Sequence, residues 1–231
     1  MMTADRDSRP LIVFDVLGTL VDQAGSLRRR IMNVTDQDAS DADRVAAAWL
    51  DYVAMREHQI TAGDAPFVAS HVLDDEALAL LVADGVLPAE AHQPLASGPQ
   101  HLEPWADSVD GVALLADSFT IAGLSNASHQ VLAELIESSG MRLQLVLSAE
   151  DASTYKPDPA VYQLALTASP VGAPPPYLVA AHAWDLRAAA NAGMRTAYVP
   201  RPGGDAPLDD DEFDIYADDP ADPHARLLAC T

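Results

Sequence analysis

The sequence predicts an α/β fold in which a parallel sheet is covered by helices on both faces and interrupted near its start by a helical insertion. Two patterns point to this. From residue 119 onward, short apolar runs alternate with helical stretches of roughly 8 to 12 residues, the rhythm of strand–helix–strand units. From residue 24 to about 100 the pattern is helical instead, with little strand character. A chain of 231 residues is long enough to bury one full core and still carry a smaller second lobe.

The elements follow in order. The first strand is Leu11 to Asp15, an apolar run closed by a carboxylate, with Gly18 marking the turn that leaves it. In "DADRVAAAWLDYVAMREHQI" the apolar positions Val45, Ala48, Trp49, Tyr52 and Val53 recur at close to a helical period. "DDEALALLVADG" reads as a short helix stopped by Gly85, and the polar, Pro-rich "LPAEAHQPLASGPQHLEPW" closes the insertion. A strand over Phe119 to Leu124 comes next, then the helix "HQVLAELIESSG" and the strand "LQLVLSAE". "DPAVYQLALTAS" is a helix, "PYLVAA" a strand, "DLRAAANAG" a helix and "RTAYVP" the last strand. The division is therefore a core of residues 1–23 and 101–231 with a helical cap of residues 24–100.

Composition narrows the function. Thirteen basic side chains against 35 acidic ones give a formal charge of -22, a field that repels phosphate backbones and argues against nucleic-acid binding. No run approaches the length of a membrane span, and "MMTADRDSRP" lacks the basic-then-apolar order of a secretory signal, so a cytoplasmic location without membrane association is expected. The single cysteine, Cys230, has no partner for an intrachain disulfide and sits too near the terminus to be held as a nucleophile.

Open parallel sheets bind ligands beyond the carboxyl ends of their strands. Asp15 lies at such an end, as do Ser125, Asn126 and the segment from Ala180 to Asp185, with Lys156 in a nearby loop. Lys156 is the only lysine in the chain.

These positions fall in "FDVLGTLVD", "LSN", "SAEDASTYKPDPAVY" and "VAAHAWDLRAAANAG", four ordered motifs that resemble those of the haloacid dehalogenase superfamily, and specifically its L-2-haloacid dehalogenase branch. The resemblance covers the core; the cap agrees in position and helical character. It implies a Rossmann-like core with an inserted helical cap. It also implies Asp15 as the nucleophile that forms an ester, Lys156 as the cation that holds it, and Asp185 as the late acidic residue that binds Lys156 and activates water. Ser125 and Asn126 would meet an anion, with Thr19, Tyr162 and His182 in support.

Most relatives in the superfamily are magnesium-dependent phosphatases, which carry an acid two residues after the nucleophile. Here that residue is Leu17, and Ala181 stands where the metal-binding aspartate would fall. Leu17 cannot protonate a leaving alkoxide, whereas a halide departs without a proton. The expected activity is therefore metal-independent hydrolysis of short (S)-2-haloacids to (R)-2-hydroxyacids, with no cofactor and no metal; the resemblance further implies a homodimer, which composition alone does not establish. A small-molecule phosphatase and a binding protein without turnover are the alternatives.

Substrate capture departs from the resemblance. The branch places an arginine directly after a tryptophan in the first cap helix, but Trp49 is followed by Leu50. Arg28 and Arg29, close to the hinge, are the expected replacements, with Arg30, Arg44 and Arg56 as further candidates. Trp184 matches and, with Leu17, is expected to line an apolar pocket.

Overall fold

The computed structural model describes residues 9–217; Cys230 and most of the opening segment lie outside them. Six parallel strands form one sheet in the order β3-β2-β1-β4-β5-β6. They are β1 (Leu11–Asp15), β2 (Thr120–Ser125), β3 (Leu145–Ser148), β4 (Tyr177–Ala180), β5 (Arg195–Tyr198) and β6 (Ile215–Tyr216). The order reverses between β1 and β4, so their carboxyl ends flank the crevice where such sheets bind ligands.

The alternation of side chains along β1 builds both faces of the core. Ile12 and Phe14 enter one apolar cluster, Leu11 and Val13 the other. With every residue of β1 buried, each of these side chains contributes about 1.5–3 kcal/mol of hydrophobic stabilisation. That anchoring fixes Asp15 at the strand end.

The insertion contains α1 (Gln23–Val34), α2 (Ala39–Thr61), α3 (Ser70–Ala83) and the short α4 (His92–Ala96), followed by a 3-10 turn at Gly98–His101. Asp22 and Asp38 start α1 and α2 by accepting the backbone N–H groups of Gly25 and Asp41. Trp49, fully buried, is the centre of the packing and lies against Gly98. Several hydrogen bonds seat the insertion on the core. Ser128 N–H donates to Ser70 Oγ at 2.8 Å, the Tyr155 hydroxyl donates to the Val68 carbonyl at 2.5 Å, and Thr61 Oγ1 reaches the Tyr155 carbonyl at 3.4 Å.

The remaining helices are α5 (Ser108–Leu115), α6 (His129–Ser139), α7 (Pro159–Ala168) and α8 (Ala183–Ala192). Several differences from the sequence reading have local causes. α3 begins at Ser70, four residues before "DDEALALLVADG", because Ser70 and Leu73 already face the core. α8 begins at Ala183, two residues early, and so takes Asp185 into its first turn. β3 stops at Ser148, whose hydroxyl accepts Glu150 N–H and bends the chain into a 3-10 turn. "RTAYVP" is not the last strand: β6 pairs beyond it, Ala197 with Ile215 and Tyr198 with Tyr216.

Among the described residues, no helix is long and apolar enough to cross a membrane.

Candidate active site

The turn after β1 decides how Asp15 is presented. Gly18 adopts φ +80°, and a Cβ built on it would come within 2.7 Å of His182 Cε1. Glycine is thus required twice, by backbone conformation and by the imidazole packed on it. The turn is held from outside. Trp105 Nε1 donates to the Gly18 carbonyl at 3.1 Å, and Arg201 Nε to the Thr19 carbonyl at 3.0 Å. Arg201 also pairs with Asp107 at 2.8 Å and lies over the Trp105 ring. Sequence reasoning missed both supports; an arginine just after the carboxyl end of β5 was the available signal.

Asp15 is 7% exposed and fully engaged. Its Oδ1 accepts from Lys156 Nζ at 2.9 Å, its Oδ2 accepts from Thr19 Oγ1 at 2.7 Å, and His182 Nδ1 stands 3.4 Å from Oδ2. Thr19 in turn accepts Ala181 N–H at 3.0 Å, tying the ends of β1 and β4 together. Lys156 Nζ donates a second bond, at 2.7 Å, to Asp185 Oδ2, and the Tyr162 hydroxyl donates to Asp185 Oδ1 at 2.6 Å.

Burial alone would push the Asp15 carboxyl up, but the Lys156 charge, His182 and the Thr19 hydrogen bond outweigh it and hold the group well below the usual carboxylate range. Asp185 goes the other way. Its burial, added to the charge of Asp15, outweighs Lys156 and raises it. One ammonium serves two carboxylates and favours the ionised form of both, yet the net direction is down for Asp15 and up for Asp185. For His182, burial lowers the pKa, but the hydrogen bond and charge of Asp15 prevail and raise it above its ordinary value.

Ser125, fully buried, turns its oxygen to Ala127 N–H at 3.1 Å. Asn126 spans the core and insertion: its Oδ1 accepts Lys156 N–H at 2.9 Å, and its Nδ2 donates to Glu57 Oε2 at 2.7 Å. A cavity of about 230 Å³ opens above Asp15. Leu17, Leu50, Ser125, Lys156, His182 and Trp184 are among its lining residues, so the structure brings most of the expected site together.

It does not bring the arginines. Arg28 faces Asp43 at 3.7 Å, and Arg29 is bound by Asp22 at 3.1 Å and Glu103 at 2.8 Å. Arg30 donates to the Pro94 carbonyl, Arg44 pairs with Asp41 and Arg56 with Glu76. The expected roles of Arg28 and Arg29 in substrate capture are therefore corrected: α1 buries Leu27 and Ile31 and turns its basic side chains toward neighbouring acids.

Two acidic pocket residues were not foreseen, Glu57 on α2 and Asp74 on α3. Protein surrounds both except at the pocket. Burial raises Glu57 to about 8 and Asp74 to about 7, although Asn126 and Trp49 Nε1, the latter 2.8 Å from Asp74 Oδ1, each favour the ionised form. This has a consequence for stability. The unfolded chain ionises both groups near pH 4, while the folded chain keeps their protons to about pH 7 and 8, so stability falls as pH rises through that window. Relative to wild type, Glu57→Gln is expected to gain on the order of 3 kcal/mol more at pH 9 than at pH 5. Thermal melts of both proteins at the two pH values measure this, and an equal difference at both would refute it.

A magnesium site of the phosphatase kind does not fit these donors. Asp15 and Asp185 each give an oxygen to Lys156 Nζ, and Leu17 and Ala181 have no side-chain oxygen. Among the described residues, no group of three or more His, Cys, Asp or Glu side chains is placed to hold a metal ion.

No family model matches the chain. An (S)-2-haloacid dehalogenase of Pseudomonas putida is 28% identical over 213 residues, covering 84% of this chain and 85% of that protein. The crystal structure of an L-2-haloacid dehalogenase superposes with a TM-score of 0.84 at 27% identity, covering 96% of this chain and all of that one. A defluorinating L-2-haloacid dehalogenase gives 0.83 at 26% identity, with 95% of each chain covered. Sheet order, inserted helices and these likenesses together make the chain a hydrolase similar to the L-2-haloacid dehalogenases of the haloacid dehalogenase superfamily, with their fold.

Proposed function

We propose that this chain removes halide from C2 of short (S)-2-haloacids, without a metal, giving (R)-2-hydroxyacids through an ester on Asp15. In this reading residues 24–100 cap a core of residues 1–23 and 101–231, and substrate lies in the cavity between them. The observation that carries it is an ionised Asp15, held by Lys156 on the floor of a cavity whose adjoining Leu17 has no proton to give.

In the first step an Asp15 oxygen attacks C2 opposite the halogen; the C–O bond forms as the carbon–halogen bond breaks. Esterification removes the Asp15 charge that raises His182, so the imidazole gives up a proton more readily and serves as a base beside the ester. It then takes one proton from water as the water oxygen bonds to the Asp15 carbonyl carbon. The bond from that carbon to the alkoxy oxygen breaks, the imidazolium passes the proton to the departing alkoxide, and the acid left at Asp15 gives its proton back to the imidazole, restoring the carboxylate. Asp185, whose burial raises its proton affinity, keeps Lys156 in place while Asp15 is neutral. The net change is one water consumed and one halide and one proton released.

The test uses purified protein in EDTA with (S)- and (R)-2-chloropropionate. Chloride is expected from the (S) form alone, with inversion. In a single turnover in heavy-oxygen water the label is expected in Asp15 and not in the product. Label appearing directly in the first product would remove the ester, and no chloride from any compound would remove the dehalogenase reading.

A further inference from the structure

Lys156 is the pivot of the site, yet its Nζ bonds to Asp15 and Asp185 do not place the backbone that carries it. That backbone lies in the connection between β3 and α7, and the insertion holds it by two routes. The first runs through Asn126, next after β2. Its Oδ1 accepts Lys156 N–H at 2.9 Å, and its Nδ2 donates to Glu57 Oε2 on α2 at 2.7 Å. A backbone N–H can only donate, which fixes the amide oxygen on the Lys156 side and the NH2 on the Glu57 side.

The second route runs through Tyr155, the residue before Lys156. Its fully buried ring packs on Phe67 with centroids 5.4 Å apart, and its hydroxyl donates to the Val68 carbonyl at 2.5 Å. Phe67 and Val68 belong to the segment joining α2 to α3, so both routes end in one stretch of the insertion, residues 57–68. Buried polar groups are costly to leave unpaired, and the Lys156 backbone is therefore bound to follow that stretch.

We propose that Glu57, through Asn126, and Tyr155, through Val68, are positioning residues for Lys156, tying its backbone to the insertion and so holding Nζ within reach of both carboxylates. The inference rests on the dehalogenase reading above and deepens it: the insertion sets the placement of the cation that serves Asp15 as well as walling the cavity. Attraction weakens with distance, so an ammonium allowed to drift would support the Asp15 anion less. Tyr155 is not among the residues lining the cavity, and a defect there cannot come from lost contact with substrate.

Because the chain has one lysine, its ammonium gives a single nitrogen-15 signal, and the exchange of those protons with water reads how firmly Lys156 is held. The experiment records that exchange together with kcat and KM for chloride release from (S)-2-chloropropionate, in wild type, Tyr155→Phe, Glu57→Leu and Glu57→Gln, each checked for folding by its thermal melt. Tyr155→Phe, which removes one hydroxyl, is expected to speed exchange about tenfold and to lower kcat about tenfold, with KM within about twofold of wild type. Glu57→Leu, which cannot accept from Asn126, should speed exchange and lower kcat to a similar degree. Glu57→Gln keeps an accepting oxygen and should stay within about threefold of wild type in both. Exchange and kcat unchanged in Tyr155→Phe and Glu57→Leu would overturn the assignment; a Glu57→Leu defect confined to KM, or Glu57→Gln as impaired as Glu57→Leu, would overturn the route through Asn126. Absence of chloride from wild type would instead remove the dehalogenase reading, while the exchange rates still decide whether these residues hold Lys156, and the two failures are distinct.

Discussion

Asp15→Asn is expected to lower chloride release by about 10⁴-fold or more, the scale on which loss of a nucleophile acts. The substitution keeps the size and planarity of the group, and an amide oxygen can still accept from Lys156 Nζ or Thr19 Oγ1, whose bonds to Asp15 are 2.9 and 2.7 Å long. What it removes is the anion. Loss of activity with a retained cooperative melt would therefore speak to chemistry and not to collapse of the site. Acid quench during turnover followed by mass analysis gives the complementary readout: a substrate-derived increment on the peptide containing Asp15 in wild type and none in the variant. Turnover within tenfold of wild type would remove Asp15 from its assigned role.

Lys156→Met is expected to act on both stability and rate. Its Nζ is the shared partner of two buried carboxylates, Asp15 and Asp185. Taking one member from such a network leaves uncompensated charge in the interior, at a cost of about 3–5 kcal/mol. The rate should fall about 10³-fold, because without the ammonium Asp15 gives up its ionised form more readily. The pH dependence separates this from a simple packing defect. In wild type the Asp15 pKa is depressed, so its pairing stabilises the fold above the unfolded value of 3.8 and is lost as acid protonates it. In the variant only His182 and Thr19 oppose burial at Asp15 and only Tyr162 does so at Asp185, so both carboxyls rise and their cost falls away once they are protonated. The stability gap between the two proteins should thus widen from pH 4 to pH 7, as urea unfolding would record; a constant gap would contradict the pairing.

The sequence exposed the parts of this molecule that are local. Asp15 at the end of an apolar run, Ser125 and Asn126 after the next strand, and the lone Lys156 each sit in a contiguous motif whose geometry follows from one strand and one turn. Parallel strands then carry those ends to one edge, and this is why the Asp15, Lys156 and Asp185 cluster was legible. Glu57 and Asp74 were not, because their meeting depends on how α2 and α3 cross, which periodicity does not encode. The run from Arg28 to Arg30 misled for a related reason: proximity to the hinge in sequence was taken for proximity to the cavity, while Asp22, Asp43 and Glu103 draw those side chains elsewhere. The two-residue β6 is too short to leave a pattern; its position is set by pairing along the edge of β5.

Lys156 is the only lysine of the chain and is 5% exposed. The folded surface consequently offers no lysine amine to acylating reagents, cross-linkers or amine-coupling supports, and side-chain modification of that kind has to wait for the interior to open. The cationic side chains around the site thus differ in kind: the Arg201 guanidinium braces the turn after β1, the His182 imidazole stands beside Asp15, and the only ammonium side chain is sequestered with the two carboxylates it pairs.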